Sequence, residues 1–241
     1  MPTENAMKKK LDASKAFYDT SYHQDSTPPR IISKHYQNLA KRLAVYPGEK
    51  VLDVACGTGE WLLAAQHRGA IVKGIDLSEK AIGACREAMP EAEFMVGKAE
   101  VLPFPDQTFD LITCLGALEH FIDMDAAIAE MIRVGKPNAR YVILVPNADF
   151  LTRRLGFFQG TNQAMIKEEV LSLEAWRELF ERSGLTVNQC WADLHVLSKD
   201  WIMRGSWLQS LIRLTQALML LVWPLRWQYQ VYYLCSKHTP L

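Results

Sequence analysis

The amino-acid sequence predicts a doubly wound α/β fold whose mainly parallel sheet has seven strands, the last of them antiparallel. Three observations lead to this prediction. Short β-rich runs alternate with helical segments over residues 50–145, which is the pattern of βαβ units. A turn with two glycines, at residues 56–59, follows the first run, where open α/β sheets bind their ligands. Two last β-rich runs, after residue 184, predict an antiparallel pair that ends the sheet.

Residues 1–45 predict an N-terminal helical cap. The first 30 residues are polar apart from an aromatic stretch on a predicted short helix, and residues 31–45 carry apolar side chains at roughly helical spacing. A Pro-Gly pair then ends the helix. The aromatic stretch has two interpretations, a lid over a ligand or ordinary packing, and both involve Tyr18, Tyr22 and His23.

Residues 46–241 predict the main domain. Its predicted strands are 50–55, 71–75, 93–96, 111–115, 140–145, 185–197 and 228–235. The predicted helices between them are 60–68, 79–89, 125–134 and 171–183. Because parallel strands are joined by right-handed crossovers that lay helices against the sheet, we expect helices on both of its faces.

An apolar helical insertion at about 200–227 separates the last two predicted strands. Its uncharged run, 214–225, has 12 residues, which is short of the ~18–20 residues that span a bilayer. Three interpretations are open: a helix that covers the sheet edge, a wall of a substrate channel, or a helix that lies in a membrane interface. The tryptophans and arginines of the segment favour the interface over an ordinary core helix. We therefore include peripheral membrane contact through this segment among the expected interactions.

The composition excludes several classes of function. Lysine plus arginine and aspartate plus glutamate both number 27, so no overall positive field favours nucleic acid as a partner. The five cysteines are scattered without a C-x-x-C pair, which argues against a disulfide framework and a zinc knuckle. The basic N-terminus lacks the apolar stretch of a secretory signal. We expect a cytoplasmic protein that acts on a small molecule.

The strongest motif is the glycine turn. It joins a buried predicted strand to a helix, and its glycines, Gly57 and Gly59, allow positive φ angles and the close approach of a ligand. The N–H groups at the start of the helix then face that ligand. A nicotinamide dinucleotide site would have a third glycine three residues after Gly59, where this chain has Leu62. The motif therefore opposes a nicotinamide-dependent reductase.

Asp76 ends the second predicted strand, 17 residues after Gly59. A carboxylate at this point can accept hydrogen bonds from both hydroxyls of a ribose. A helix N-cap is the alternative role, because Ser78 and Glu79 follow at once. The position of Asp76 at the strand end favours ribose. The following turn, at 97–110, adds backbone donors and an apolar wall that suit an adenine ring.

These motifs together resemble the class I S-adenosylmethionine-dependent methyltransferases, which share a Rossmann-like fold. The resemblance covers roughly residues 48–147, and the most similar subgroup contains the small-molecule methyltransferases of quinone and related biosynthesis. It rests on Asp53-x-Ala55-x-Gly57-x-Gly59, on Asp76, on Ala99-Glu100-x-Leu102-Pro103-Phe104-Pro105-Asp106, on Leu118-Glu119-His120 and on a helix ending in Arg133-Val134-x-Lys136-Pro137.

The resemblance implies S-adenosylmethionine as the cofactor. It implies that Asp53 orients the glycine turn and the amino group of the methionine moiety, that Asp76 holds the ribose, and that Leu115 lies near the methionine end. The glycines would face the methionine moiety, and the residues after Lys98 would flank the adenine. The complete implied set is Asp53, Ala55, Gly57, Gly59, Asp76, Leu77, Ala99, Glu100 and Leu115.

The sequence departs from this subgroup at two places. The position before Ala99 is usually acidic in the subgroup, whereas here it is Lys98. Some quinone-pathway relatives bind a divalent metal through E-x-x-E-H, but the corresponding residues here are 116–120, which read G-A-L-E-H. Because the first carboxylate is missing, two metal ligands remain and we expect no metal site.

His120 is the candidate catalytic residue. It follows the fourth predicted strand, at the edge where an acceptor would meet the methyl group. A neutral imidazole can take a proton from an attacking hydroxyl, and the alternative is that His120 caps a helix or orders the loop. We expect methyl transfer to a small-molecule or lipid-like acceptor, preferentially at oxygen. The alternative function is a non-catalytic nucleoside-binding protein of the same fold that docks a membrane or a protein partner.

Overall fold

A single seven-stranded sheet forms the centre of the protein. The computed structural model describes residues 4–23, 27–154, 156, 168–195 and 207–238. The strands are β1 (Lys50–Val54), β2 (Ile71–Asp76), β3 (Glu93–Val96), β4 (Phe109–Leu115), β5 (Gly135–Pro146), β6 (Leu185–Ala192) and β7 (Gln230–Lys237). Their order is β3-β2-β1-β4-β5-β7-β6. The first five are parallel, and β7 is antiparallel to both β5 and β6. The predicted fold class is confirmed.

Four of the described helices begin at a side chain that caps them. The helices are α1 (Glu4–Phe17), α2 (Lys34–Arg42), α3 (Glu60–Gln66), α4 (Glu79–Ala88), α5 (Met124–Val134), α6 (Leu151–Arg154), α7 (Leu173–Arg182) and α8 (Trp207–Val222). Ser33, Ser78, Asp123 and Ser172 each accept a hydrogen bond from a backbone N–H in the first turn of α2, α4, α5 and α7. These bonds satisfy donors that a helix leaves free at its start.

Helices cover both faces of the sheet. Strand β5 shows this, because alternate side chains of a strand point to opposite faces. In β5, Tyr141 and Ile143 belong to a buried cluster that includes residues of α5 and α7. The alternate residues Val142 and Leu144 belong to a second cluster with residues of α2, α3 and α4. The sheet is therefore doubly wound, as predicted.

The order of the strands reverses at β1, with β2 and β3 on one side and β4 and β5 on the other. Connections from the two strands at such a point leave in opposite directions, so a crevice opens beyond their carboxyl ends. The glycine turn after β1 and the loop after β4 both lie there. The fold thus places the candidate residues at one edge.

The insertion between β6 and β7 forms α8, and residues 200–206 of the predicted segment lie outside the described residues. Helix α8 presents an apolar stripe to solvent, formed by Trp207, Leu211, Leu214, Leu218, Leu221 and Val222. Within the described part of the chain, every helix falls short of the length and apolarity that a membrane crossing requires. The stripe is thus an exposed surface of a helix that does not span a bilayer.

The largest differences between the predicted and observed strand boundaries are at the start of β5 and the end of β6. Strand β5 begins at Gly135, before the predicted 140–145: Gly135 pairs with Phe109 of β4, and after a shift of register Arg140 pairs with Leu111. Pro137 and Asn138 are poor strand formers, so the sequence did not predict that the strand extends back to Gly135. Strand β6 ends at Ala192, earlier than predicted.

Candidate functional site

A cavity of about 350 Å³ opens at the carboxyl edge of the sheet. This volume lies within the usual range of ~300–1,000 Å³ for small-molecule sites. The sequence-predicted residues that line it are Asp53, Ala55, Gly57, Asp76, Leu77, Ala99, Glu100, Leu115 and His120. One cavity therefore collects residues from the ends of β1, β2 and β4 and from the loop after β3.

The two glycines of the turn have different roles. Gly57 lines the cavity with φ +52°, and its N–H donates to Asp76 Oδ2 at 2.8 Å. Gly59 has φ +83°, and a Cβ added there would meet Cys85 Sγ and Met89 Cε at 2.9 Å each. Gly59 is not among the residues that line the cavity. Its lack of a side chain lets α3 begin close against α4.

Asp76 is held from both sides by backbone donors. Its Oδ2 accepts from Gly57 N–H at 2.8 Å, and its Oδ1 accepts from Ser78 N–H at 2.9 Å. Ser78, not Asp76, caps α4 by accepting from Ala81 N–H. Burial raises the pKa of Asp76, and the hydrogen bonds from Ser78 and Gly57 oppose that change. Because each carboxylate oxygen has two lone pairs, both can accept a further hydrogen bond.

Asp53 lies at the end of a buried chain of hydrogen bonds. Trp61 Nε1–H donates to Thr113 Oγ1 at 3.0 Å, and the Thr113 hydroxyl donates to Asp53 Oδ1 at 2.6 Å. Burial raises the pKa of Asp53 to about 7, although the bond from Thr113 opposes the shift. These hydrogen bonds hold the Asp53 carboxyl in place in β1, just before the glycine turn.

The loop after β3 forms another wall of the cavity. Lys98, Ala99 and Glu100 line it. Glu100 Oε1 also accepts from the backbone N–H groups of Ile122 and Asp123 at 3.1 and 3.4 Å. The Glu100 carboxylate thus ties this loop to the segment that leads into α5.

The N-terminal segment covers the site from above the sheet edge. Tyr18, Tyr22 and His23 line the cavity, on and after a π-helical turn at residues 18–22 that continues α1. Asp19 Oδ1 accepts from the Ser78 hydroxyl at 2.7 Å, and an exposed ion pair joins Lys15 to Glu79 at 2.6 Å. The segment is therefore docked on the start of α4, and the lid interpretation of these aromatic residues is the one that the contacts favour.

His120 lies in a 3₁₀ turn, Leu118–His120, that follows β4. Burial lowers its pKa, so the imidazole is neutral near pH 7. Its Nδ1 is buried and has no hydrogen-bond partner among the described residues. Asp123 caps α5, which removes the helix-cap interpretation of His120.

Glu119 and Glu168 lie next to His120. Glu119 is only 4% exposed, and burial raises its pKa to about 8. Glu169 N–H donates to the Glu119 carbonyl at 2.9 Å, which brings Glu168 beside the turn. Ligand-type atoms of Glu119, His120 and Glu168 all lie within 4.8 Å of one another. The sequence carried no signal for Glu168, because it is far from the turn along the chain.

Comparisons with known proteins agree with this geometry. The family model of the methyltransferase domain matches residues 52–143. The ubiquinone biosynthesis O-methyltransferase of Azoarcus sp. (strain BH72) is 33% identical over 176 residues, which are 64% of this chain and 74% of that protein. The demethylmenaquinone methyltransferase of Lysinibacillus sphaericus (strain C3-41) is 39% identical over 110 residues, 43% of this chain and 47% of that protein. The chain thus spans about half the length of this second relative.

A solved structure supports the fold. The phosphoethanolamine N-methyltransferase 2 of Haemonchus contortus, in complex with S-adenosyl-L-methionine, superposes with a TM-score of 0.65 at 16% identity. The superposition covers 93% of this chain and 60% of that chain. At this identity the likeness concerns the arrangement of the strands and helices.

The substitution Asp53→Asn should reduce the pH dependence of stability between about pH 4 and pH 7. The pKa of Asp53 rises from 3.8 to about 7 on folding, so the folded state binds the proton more tightly than the unfolded chain. The free energy of unfolding therefore falls as the pH rises through this window. Asparagine does not titrate, and urea unfolding across the window should show a shallower decline.

Asp110→Asn is the matched control. Partial burial raises the pKa of Asp110, but hydrogen bonds from Lys136 and the Lys50 backbone outweigh it and lower that pKa. Replacing Asp110 should therefore leave the dependence of the unfolding free energy on pH unchanged above pH 4. If the unfolding free energy of Asp53→Asn changed with pH as steeply as that of the unmodified protein, the pKa shift assigned to the burial of Asp53 would be wrong.

Proposed function

The chain belongs to the S-adenosylmethionine-dependent methyltransferases, and from this membership we propose that it transfers the methyl group to a hydroxyl oxygen of an apolar small molecule. The observation that carries the proposal is that Asp76, the Gly57 turn and His120 share one cavity. A nucleoside held at the first two therefore directs its reactive end toward the third. Because the chain belongs to a family of enzymes, we set aside the alternative of a non-catalytic nucleoside-binding protein.

The residues present fit S-adenosylmethionine. Asp76 retains lone pairs for the two ribose hydroxyls after accepting its two backbone hydrogen bonds. Gly57 leaves room at the turn, where a side chain would approach His23. We assign the methionine moiety to the turn, the methionine end to Leu115, and the adenine to the loop after β3. The proposed contacts are Asp53, Ala55, Gly57, Asp76, Leu77, Ala99, Glu100 and Leu115, with Gly59 acting through the turn.

The protein's main task is to position the reactants and exclude water. When bound, S-adenosylmethionine supplies a methyl group on a positively charged sulfur; the carbon–sulfur bond breaks as the carbon–oxygen bond forms. Holding the acceptor oxygen in line with that bond converts a bimolecular reaction into an effectively unimolecular one. We propose that residues 1–45 act as a cap in which Tyr18, Tyr22 and His23 keep water out.

We propose that His120 assists at the acceptor end. The acceptor hydroxyl loses its proton as it is methylated, and a neutral imidazole beside it can accept that proton. The products are then S-adenosylhomocysteine, the methyl ether and a protonated His120. The buried Nδ1, which has no described partner, is available for this bond. The relative named as a ubiquinone biosynthesis O-methyltransferase supports an oxygen atom of an apolar molecule as the acceptor.

We also propose that α8 contacts a membrane surface, from which an apolar acceptor would be drawn. The exposed stripe faces solvent along the whole helix. Residues 201–241 contain no aspartate or glutamate but include Arg204, Arg213, Arg226 and Lys237. An apolar stripe with nearby tryptophans and positive charge is typical of helices that lie in an anionic interface.

Asp76→Asn should weaken binding of S-adenosylhomocysteine roughly ten- to hundredfold, because a charge-assisted hydrogen bond contributes about 1.5–3 kcal/mol. Isothermal titration calorimetry measures the affinity, and thermal unfolding checks that the turn still folds. Asp110→Asn, at the opposite end of the sheet, is the control and should bind normally. Unchanged affinity in a folded Asp76→Asn protein would refute the ribose assignment.

His120→Ala should lower kcat by ~10²–10⁴-fold, the usual contribution of a positioned acid–base group, with the affinity for S-adenosylhomocysteine retained. The assay uses a catechol with a short prenyl tail and follows S-adenosylhomocysteine release. His67→Ala, which alters an exposed histidine at the end of α3, should leave kcat unchanged. Near-native turnover in His120→Ala would remove His120 from the mechanism.

The double variant Leu211→Gln/Leu218→Gln should bind vesicles of phosphatidylglycerol and phosphatidylcholine at least ~10-fold more weakly than the unmodified protein, because each leucine contributes buried apolar area. Co-sedimentation measures the bound fraction. Ile71→Gln removes a similarly exposed apolar side chain at the start of β2 and should bind as the unmodified protein does. If the unmodified protein fails to sediment with the vesicles, the membrane proposal is wrong.

A further inference from the structure

Two carboxylates, Glu119 and Glu168, converge on His120, which lines the cavity. One ligand-type atom from each of Glu119, His120 and Glu168 lies within 4.8 Å of the other two. We infer that these three residues form a binding site for a divalent transition-metal cation. Cation binding itself does not depend on the proposed function, whereas the catalytic consequence drawn below rests on it.

The backbone holds the three residues together. Glu119 and His120 are adjacent in the 3₁₀ turn after β4, and His120 N–H donates to the Ala117 carbonyl at 3.0 Å. The segment that carries Glu168 is joined to this turn by the bond from Glu169 N–H to the Glu119 carbonyl at 2.9 Å. The cluster is therefore fixed by main-chain contacts on both sides and does not depend on a chance approach of long side chains.

A second observation points to a ligand. Glu119 Oε2 and His120 Nδ1 are buried without a hydrogen-bond partner in the described part of the chain, and the two side chains are only 4% and 8% exposed. Buried polar atoms are nearly always partnered in folded proteins, so each exception calls for an explanation. A carboxylate oxygen and a neutral imidazole nitrogen both have a lone pair to offer, and a cation bound between them would satisfy both.

The ligand set indicates the kind of cation. Carboxylate oxygens accept most divalent metals, Mn²⁺ among them, whereas imidazole suits Fe²⁺ and Zn²⁺ better than Ca²⁺ and Mg²⁺, which take oxygen ligands. Three protein ligands leave coordination positions for water or substrate oxygens, as in catalytic metal sites. Because His120 lines the cavity, those positions are next to the space where we place the acceptor.

This site revises the expectation drawn from the sequence. The missing first carboxylate of E-x-x-E-H left only Glu119 and His120 as ligands, and Glu168 supplies the third from another part of the chain. A cation held by these residues would bind the acceptor oxygen and lower the pKa of its hydroxyl, which would then give up its proton to solvent while the acceptor binds, before the cap excludes water. In the metal-bound protein His120 is then a ligand, and it acts as the base only in the metal-free protein.

Mn²⁺ alone, titrated into the purified full chain without cofactor or acceptor, tests the inference. Electron paramagnetic resonance of free Mn²⁺ and isothermal titration calorimetry should both show one site per chain. Glu168→Gln should weaken Mn²⁺ binding by at least ~10-fold, since even outer-shell changes cost 10–100-fold in affinity. Glu169→Gln makes the same change of charge one residue away, at an exposed position, and should leave Mn²⁺ binding unchanged.

The outcomes separate this inference from the proposed function. If Mn²⁺ does not bind, or binds equally to Glu168→Gln and Glu169→Gln, the metal site is refuted, whatever the result with S-adenosylhomocysteine. If Mn²⁺ binds as expected while S-adenosylhomocysteine does not bind, the metal site stands and the proposed function fails. Thermal unfolding of both glutamine variants confirms that a loss of binding reflects a lost ligand and not a lost fold.

Discussion

The hydrogen bond from Gly57 N–H to the Asp76 carboxylate is the contact on which the rest of the site depends. It joins the carboxyl ends of β1 and β2 directly, at 2.8 Å. The other oxygen of Asp76 accepts from Ser78 N–H, the residue that begins α4. One carboxylate therefore links the glycine turn to the start of the following helix.

The same edge concentrates buried acidic groups. Burial raises the pKa values of Asp53, Asp76 and Glu119, which means that the folded state holds these carboxyls at an energetic cost once they ionise. A sequence selected for stability alone would place apolar residues there. Ionisable groups whose pKa values are shifted in this way cluster at functional sites.

The exposed helix is connected to this edge by buried polar contacts. Gln228 Nε2–H donates to the carbonyl of Leu220 in α8 at 2.6 Å. Asn147, immediately after β5, donates through Nδ2 to the carbonyl groups of Arg226 and Gln228. Both side chains are at most 3% exposed. Helix α8 is thus anchored to the carboxyl end of the sheet.

The sequence by itself determined the alternation of strands and helices, the reversal point at the glycine turn, and Asp76 as the ribose residue we propose, because these depend on short-range periodicity and on spacings within one βαβ unit. Only the tertiary structure decided that Gly59 packs against Cys85 and Met89 rather than lining the cavity, and that Glu168 lies beside His120. Such contacts join segments that are distant along the chain, and no local pattern encodes which distant surface a loop will meet.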